Sequence, residues 1–342
     1  MRVTAACTVL LIAAAPARAD DLAASPARPD YEATDKLLMW SGRKSLEDRG
    51  VTVDGTYTFE TFAAPHLDDE LTAGGLFTLE VDLFERFHLS AFAIHGTSPT
   101  DELMDVHGVS GNTAPRDVRL FEAWVEQPIG VVTLRAGLVA ADQQLVIADQ
   151  SQTLLAATFG ITGQFSANLL GPVYPVAAPG ATARLETRRI DVRAGLYDGS
   201  QDNWHGLLRA LGPGVLACGE IELDRWLAVG AWHHTERGDA VYAIADAQLT
   251  ERVGAFARVG VGDGPITTYL DAGVRGAPLS IRPDDLVSVG IAFARAAAGA
   301  QTIVEGNYEL QIRWVTIQPA AQVLFLPGQT VGVAVVRTTV TL

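Results

Sequence analysis

The sequence predicts an all-β protein, a transmembrane up-and-down antiparallel β-barrel of about sixteen strands with a short N-terminal helix. Three observations favour this class. Strand-like segments of about ten residues follow one another from Val51 to the end of the chain. Short turns alternate with longer polar connections, which is typical of barrels with short turns at one rim and long loops at the other. The chain is also apolar, with 48% hydrophobic residues, yet no stretch after its first twenty residues resembles a membrane-spanning helix.

The first residues have the three parts of a secretory signal peptide. Arg2 precedes an apolar run from Val3 to Ala15, and Ala17-Arg18-Ala19 follows as a small-residue cleavage site. The apolar run is too short to span a bilayer. We therefore expect residues 1–19 to be a signal peptide cleaved near Ala19, residues 20–50 a leader with a short helix, and residues 51–342 the barrel domain.

Charge and cysteine content exclude several classes of function. The chain has 25 Lys and Arg against 40 Asp and Glu, a net charge of −15, which argues against a nucleic-acid partner. One of its 2 cysteines, Cys7, lies in the signal peptide and the other is Cys218, so the mature chain holds no internal disulfide and no cysteine zinc site. We expect no metal and no cofactor. A Gly-x-Ser-x-Gly elbow is absent, and an outer-membrane enzyme is the less favoured alternative.

The strand-like segments alternate apolar and charged side chains, which places the two kinds on opposite faces. In the segment 120–126, Glu122, Trp124 and Glu126 share one face, and Phe121, Ala123 and Val125 share the other. In the next segment, Arg135 lies opposite an apolar face of Val132, Leu134, Ala136 and Leu138. A second polar set falls on the hairpin 184–197 and consists of Arg184, Glu186, Asp191 and Arg193.

Alternation alone does not distinguish a barrel from a soluble two-sheet sandwich, because both bury one face of each strand. The high strand number and the alternating lengths of the connections favour the barrel. The longer connections are expected at 96–116, 142–178, 198–213 and 262–267. The apolar face is also rich in Ala, Val and Gly, and a lipid-facing wall needs apolar character without interlocking packing.

Four ordered motifs resemble the carbohydrate-selective porins of the OprB type. They are "MWSGRKSLEDRGVTVDGTYTFE", "VRLFEAWVEQPIGVVTLRAGLVAAD", "GPVYPVAAPGATARLETRRIDVRAGLYDG" and "VEGNYELQIRWVTIQPAAQVLFLPG". The chain is short for that family, and it ends in Leu342 where the family typically ends in an aromatic residue. The resemblance implies an outer-membrane location in a Gram-negative-type bacterium and passive diffusion of glucose-like monosaccharides. The implied partners are small sugars, outer-membrane lipids and the barrel-assembly machinery; the sugar itself and the choice between monomer and homo-oligomer stay open.

A sugar presents hydroxyls that donate and accept hydrogen bonds, together with apolar C–H faces. A selective lumen therefore pairs Arg and carboxylates with an aromatic platform, for which Trp124 is the candidate. The eight expected pore-lining residues are Glu122, Trp124, Glu126, Arg135, Arg184, Glu186, Asp191 and Arg193. The long connection 142–178 is expected to fold inward and narrow the pore. The alternatives are a general or non-sugar porin of the same architecture and a barrel that does not transport.

Overall fold

The computed structural model describes residues 43–103, 105–112, 116–169, 171–199, 214–277, 282 and 285–342. The expected signal peptide and most of the leader lie outside the described residues. Among the residues that are described, no helix is both long enough and apolar enough to cross a membrane.

Sixteen antiparallel strands form one closed barrel, which confirms the predicted fold class. Each strand pairs with its neighbours along the chain, and the first pairs with the last, so that Thr56 faces Thr341 and Ala63 faces Ala334. The strands are β1 (Val51–Ala63), β2 (Leu71–Leu83), β3 (Phe87–Gly96), β4 (Asp117–Ile129), β5 (Val132–Val139), β6 (Ala178–Glu186), β7 (Ile190–Asp198), β8 (Val215–Leu223), β9 (Leu227–His234), β10 (Gly238–Thr250), β11 (Val253–Gly262), β12 (Ile266–Gly276), β13 (Leu286–Ala296), β14 (Gly299–Ile312), β15 (Val315–Leu326) and β16 (Gln329–Thr341).

The described helices are short: α1 (Arg43–Glu47), α2 (Thr100–Leu103), α3 (Ala157–Gly160) and α4 (Gly163–Leu169). Helix α1 is the described part of the predicted N-terminal helix. Its Arg43 guanidinium contacts the Asp54 carboxylate of β1 at 2.5 Å and donates to the backbone carbonyl of Leu342 at 3.3 Å. Arg43 thereby joins the helix to β1 and to Leu342, the residue that follows β16.

The solvent exposure of the apolar and charged faces of the strands excludes a two-sheet sandwich. Leu196 is 60% exposed and Leu134 is 42% exposed on the outer wall, so no second sheet of the described chain covers the apolar face. Glu220 and Asp271 point to the inside, where they are 3% and 1% exposed. Apolar side chains therefore cover the outside of the barrel, and charged side chains line its interior.

Simple alternation misplaced two apolar residues. Ser90 pairs with Glu122 and Ala91 pairs with Leu120, so Phe121 is the extra residue of a β-bulge and turns inward, where it is 9% exposed. Leu138 is 1% exposed and joins the same interior cluster, next to Gly137 with a φ of 148°. Both residues are part of the lumen, whereas the two-residue period predicted them on the outer wall.

The connections differ in length mainly in the first half of the chain. Residues 97–116, 140–177 and 199–214 separate strands at one rim, as expected. The fourth predicted long connection, 262–267, is wrong, because β11 ends at Gly262 and β12 begins at Ile266. At the opposite rim, residues 277–285 form the longest connection.

Candidate functional site

The connection between β5 and β6, residues 140–177, lies inside the barrel and is called here the inward segment. It contains α3 and α4 as well as two 3₁₀ turns, Ala141–Gln143 and Asp149–Ser151. The Asn168 amide in α4 donates to the Ile266 carbonyl at 2.8 Å, and Phe159 packs edge-on against Phe256 of β11 at a centroid distance of 6.2 Å. The segment therefore packs against the inner wall of the later strands, and the connection 142–178 folds inward as expected.

A cavity of about 400 Å³ lies between the inward segment and the inner wall of β4 to β10. Its described lining includes four arginines and six carboxylates. Trp226 is the one aromatic residue of that lining. The charged residues are Glu126, Arg135, Asp149, Arg184, Glu186, Arg193, Glu220, Glu222, Arg225 and Asp246. Five of the eight predicted pore residues belong to this set.

The first predicted set is partly in the cavity and partly behind it. Arg135 of β5 pairs with Glu126 of β4 at 2.8 Å, and both line the cavity. Glu122 is 5% exposed and accepts the backbone N–H of Ala140 at 2.8 Å. It therefore holds the start of the inward segment and lies outside the cavity lining.

Trp124 is enclosed by two other side chains. The Arg135 guanidinium lies 3.6 Å from the centroid of its ring, and the His88 ring stacks on it at a centroid distance of 4.8 Å and an angle of 17°. His88 belongs to β3 and Arg135 to β5, on opposite sides of Trp124 in the sheet. Both faces of the indole are covered, so the expected platform for a sugar ring is not free at Trp124.

The second predicted set forms a continuous chain of ion pairs. Arg184 of β6 contacts Asp191 of β7 at 2.6 Å and Glu186 at 3.2 Å. Asp191 also pairs with Arg193 at 2.8 Å. Asp191 lies behind the cavity surface and holds the two arginines in place, whereas Arg184, Glu186 and Arg193 line the cavity.

Arg193 connects this set to carboxylates that sequence reasoning missed. It contacts Glu220 at 2.9 Å and Glu222 at 2.6 Å, both on β8. The run Gly219-Glu220-Ile221-Glu222 alternates like the other polar faces and follows β7 directly, so its pattern could have revealed it. The sequence around Asp246 of β10 gives no comparable signal. Its contact is with the inward segment, whose Gln150 N–H lies 3.3 Å from one oxygen of the Asp246 carboxylate.

The described residues contain no group of three His, Cys, Asp or Glu side chains arranged to hold a metal ion. The arrangement offers fixed hydrogen-bond donors and acceptors around a polar space. Chemically, it can exchange hydrogen bonds with a passing solute.

Asp142 lies at the base of the inward segment and joins its two ends. One carboxylate oxygen accepts the backbone N–H of Tyr174 at 3.1 Å, and the other accepts the side-chain amide of Gln143 at 3.1 Å. Burial raises the pKa of Asp142 from 3.8 to about 7. The Asp142 carboxylate in the folded protein therefore binds a proton more tightly than a solvent-exposed carboxylate does.

This difference predicts a pH-dependent stability. Because the folded pKa is raised, the stabilisation from protonated Asp142 is complete below pH 3.8 and is lost as the pH rises to about 7. Between pH 5 and pH 8, the loss should amount to about 2–3 kcal/mol in the free energy of unfolding. The Asp142→Asn variant should show a smaller decline over the same range in denaturant titrations. Parallel curves for the two proteins would contradict this role of Asp142.

The closed barrel, its charged lumen and its inward-folded connection together form a porin-like fold. Solved porin structures share this fold. A high-pH structure of OprB from Pseudomonas putida aligns with a TM-score of 0.78 at 15% identity, covering 88% of this chain and 96% of that one. The low-pH structure of the same protein has a TM-score of 0.63 at 15% identity, covering 90% and 98%. A triple mutant of the Rhodopseudomonas blastica porin has a TM-score of 0.55 at 10% identity, covering 85% and 100%.

Residues 81–226 match the family described as "Carbohydrate-selective porin, OprB family". The resemblance inferred from the sequence motifs is thereby confirmed. No curated protein sequence matches the chain. The matching family and the solved structures that share this fold are those of transport channels.

Proposed function

We propose that this protein is an outer-membrane porin through which small neutral sugars of glucose size diffuse passively, past the inward segment and through the polar cavity. The volume of about 400 Å³ lies within the usual range of small-molecule sites. The observation that carries the proposal is the pairing of the cavity arginines. Arg135, Arg184 and Arg193 each contact at least one carboxylate within 2.8 Å.

This pairing favours uncharged, hydroxyl-rich solutes. A charged solute competes with ion pairs that are already formed, whereas a sugar hydroxyl donates to a carboxylate oxygen and accepts from a guanidinium without breaking them. The cavity therefore suits neutral polar molecules.

One observation favours the second candidate, a general small-solute porin. Trp124 has both ring faces covered, so it offers no stacking surface to a sugar. The aromatic residue of the described cavity lining is Trp226, which is 47% exposed and lies at the turn between β8 and β9. If Trp226 does not contact sugars, size and hydrogen bonding alone determine what passes.

The location and assembly of the protein follow from the same proposal. Removal of residues 1–19 near Ala19 would release the mature chain, and the barrel-assembly machinery would insert it into the outer membrane. Outward side chains such as Leu196 and Val229, 60% and 54% exposed, are suited to contact with lipid. Extraction that requires detergent supports this location, whereas recovery in the periplasmic fraction without detergent contradicts it.

Swelling of liposomes tests the proposed solute. We expect vesicles that contain the protein to admit glucose faster than a zwitterionic amino acid of similar size, because the amino acid must compete with the paired charges of the cavity. Protein-free vesicles are the control. Equal rates for the two solutes would favour the general porin, and the absence of swelling with either would contradict a porin function.

A further inference from the structure

Four carboxylates of the barrel wall bind successive backbone N–H groups of the inward segment. They come from β4, β8, β10 and β14, so they are spread around the ring instead of lying on one hairpin. The pairs are Glu122 with Ala140, Glu220 with Val146, Asp246 with Asp149 and Gln150, and Glu305 with Leu155 and Ala156. The segment is therefore attached at intervals as it crosses the lumen.

Glu305 binds the segment farther along the chain than the other three carboxylates do. Its side chain is 0% exposed, and it accepts the N–H of Leu155 at 2.6 Å and the N–H of Ala156 at 2.8 Å. The side-chain amides of Asn307 and Gln322 donate to it at 2.9 and 3.0 Å. Four donors thus compensate a buried carboxylate that has no direct ion pair among the described residues.

The neighbouring backbone is held by neutral groups from the same part of the wall. The Thr153 carbonyl accepts the Asn307 amide at 2.8 Å and also accepts from Gln318 of β15. Gly290 of β13 leaves space for the next residue, Leu154, because a Cβ at position 290 would lie 2.5 Å from a Leu154 methyl carbon. Residues 153–156 are therefore docked on β13 to β15, across the lumen from β5 and β6.

We propose that Glu305 is a positioning residue for permeation: it holds residues 153–156 against the far wall and so sets the largest solute that the lumen admits. This inference rests on the proposed function. Glu305 lies outside the cavity lining, whereas Gln143, Gln144, Ile147 and Asp149 of the same segment line it. Glu305 therefore acts on the solute path through the segment.

The chemistry of the attachment explains why the charge matters. Buried N–H groups left without an acceptor lose their hydrogen bonds to water without gaining others in return. In the Glu305→Gln variant, one acceptor oxygen becomes an NH₂ donor that faces other donors. The docked conformation of residues 153–156 is then no longer lower in free energy than a conformation in which these residues leave the far wall.

The test uses single-channel currents and exclusion of polyethylene glycols of graded size by the full-length protein in planar bilayers. We expect Glu305→Gln to raise the size limit for the polymers and to make the open-channel current larger and less steady. The matched control is Glu80→Gln, which removes the same charge from β2, where the structure shows no contact between Glu80 and the inward segment. That control should keep the size limit of the unmodified protein.

A second variant tests the same proposal if Glu305→Gln does not fold. Gln318→Ala removes a neutral donor to Thr153 and should raise the size limit in the same direction. Unchanged polymer exclusion in the inserted variants would overturn the proposal, as would a smaller current with unchanged exclusion. Because these readouts do not involve sugars, a lack of glucose preference in the unmodified protein would contradict the proposed function while leaving the test of Glu305 intact.

Discussion

Replacing Arg258 with Met should lower the free energy of unfolding by about 3–5 kcal/mol, because it leaves a buried carboxylate without its counter-charge. Arg258 and Asp271 contact each other at 2.5 Å, and their side chains are 1% and 0% exposed. Tyr269 also donates to Asp271 at 2.8 Å, but one hydroxyl does not replace a guanidinium. Denaturant titration of the barrel in detergent measures the loss.

Arg258 also ties the inward segment to β11. Its guanidinium donates to the backbone carbonyls of Val146, Thr158 and Phe159 at 3.2, 3.0 and 2.8 Å. The double variant Arg258→Met with Asp271→Leu removes both charges and should recover part of the stability, although the three carbonyls lose the hydrogen bonds that Arg258 donates. A single variant as stable as the unmodified protein would contradict a structural role for this ion pair.

Replacing Arg193 with Gln should shift the ion selectivity of the channel strongly toward cations. Asp191, Glu220 and Glu222 would lose a shared counter-charge within 3 Å. The described cavity lining, already richer in carboxylates than in arginines, becomes more negative. The reversal potential across a salt gradient measures this change.

The control for Arg193 is Arg295→Gln on β13. Arg295 is exposed at the rim and does not line the cavity, so the same loss of charge should leave the reversal potential nearly unchanged. Equal shifts in the two variants would mean that overall charge, and not the cavity, determines selectivity. High salt should reduce the effect of Arg193→Gln, because exposed parts of the field are screened.

The strands and their faces could be predicted from the sequence because a two-residue period is a local property. Arg184 and Asp191 were placed on one polar face of a hairpin, and the structure brings them to 2.6 Å. Phe121 was placed on the wrong face because a β-bulge inserts one residue and reverses the alternation locally. The residues near Phe121 give no sequence signal from which the bulge could be predicted.

The contacts of the inward segment could not be predicted, because they join residues far apart in the chain. Leu155 donates to Glu305, which lies 150 residues later. Periodicity shows that Glu305 points to the polar side of its strand, but not which part of a sixteen-stranded ring faces a given loop. The same limit applies to Trp124, whose neighbours His88 and Arg135 come from the strands on either side.

The pairing of β1 with β16 has a consequence for biogenesis. In an open sheet, the first strands can pair with their final partners before synthesis of the chain is complete. Here Thr56 of β1 pairs with Thr341 of β16, so nearly the whole polypeptide must be synthesised before the barrel can close. Nascent chains truncated before β16 should accordingly remain protease-sensitive, since a gap in the barrel exposes unpaired backbone to the bilayer.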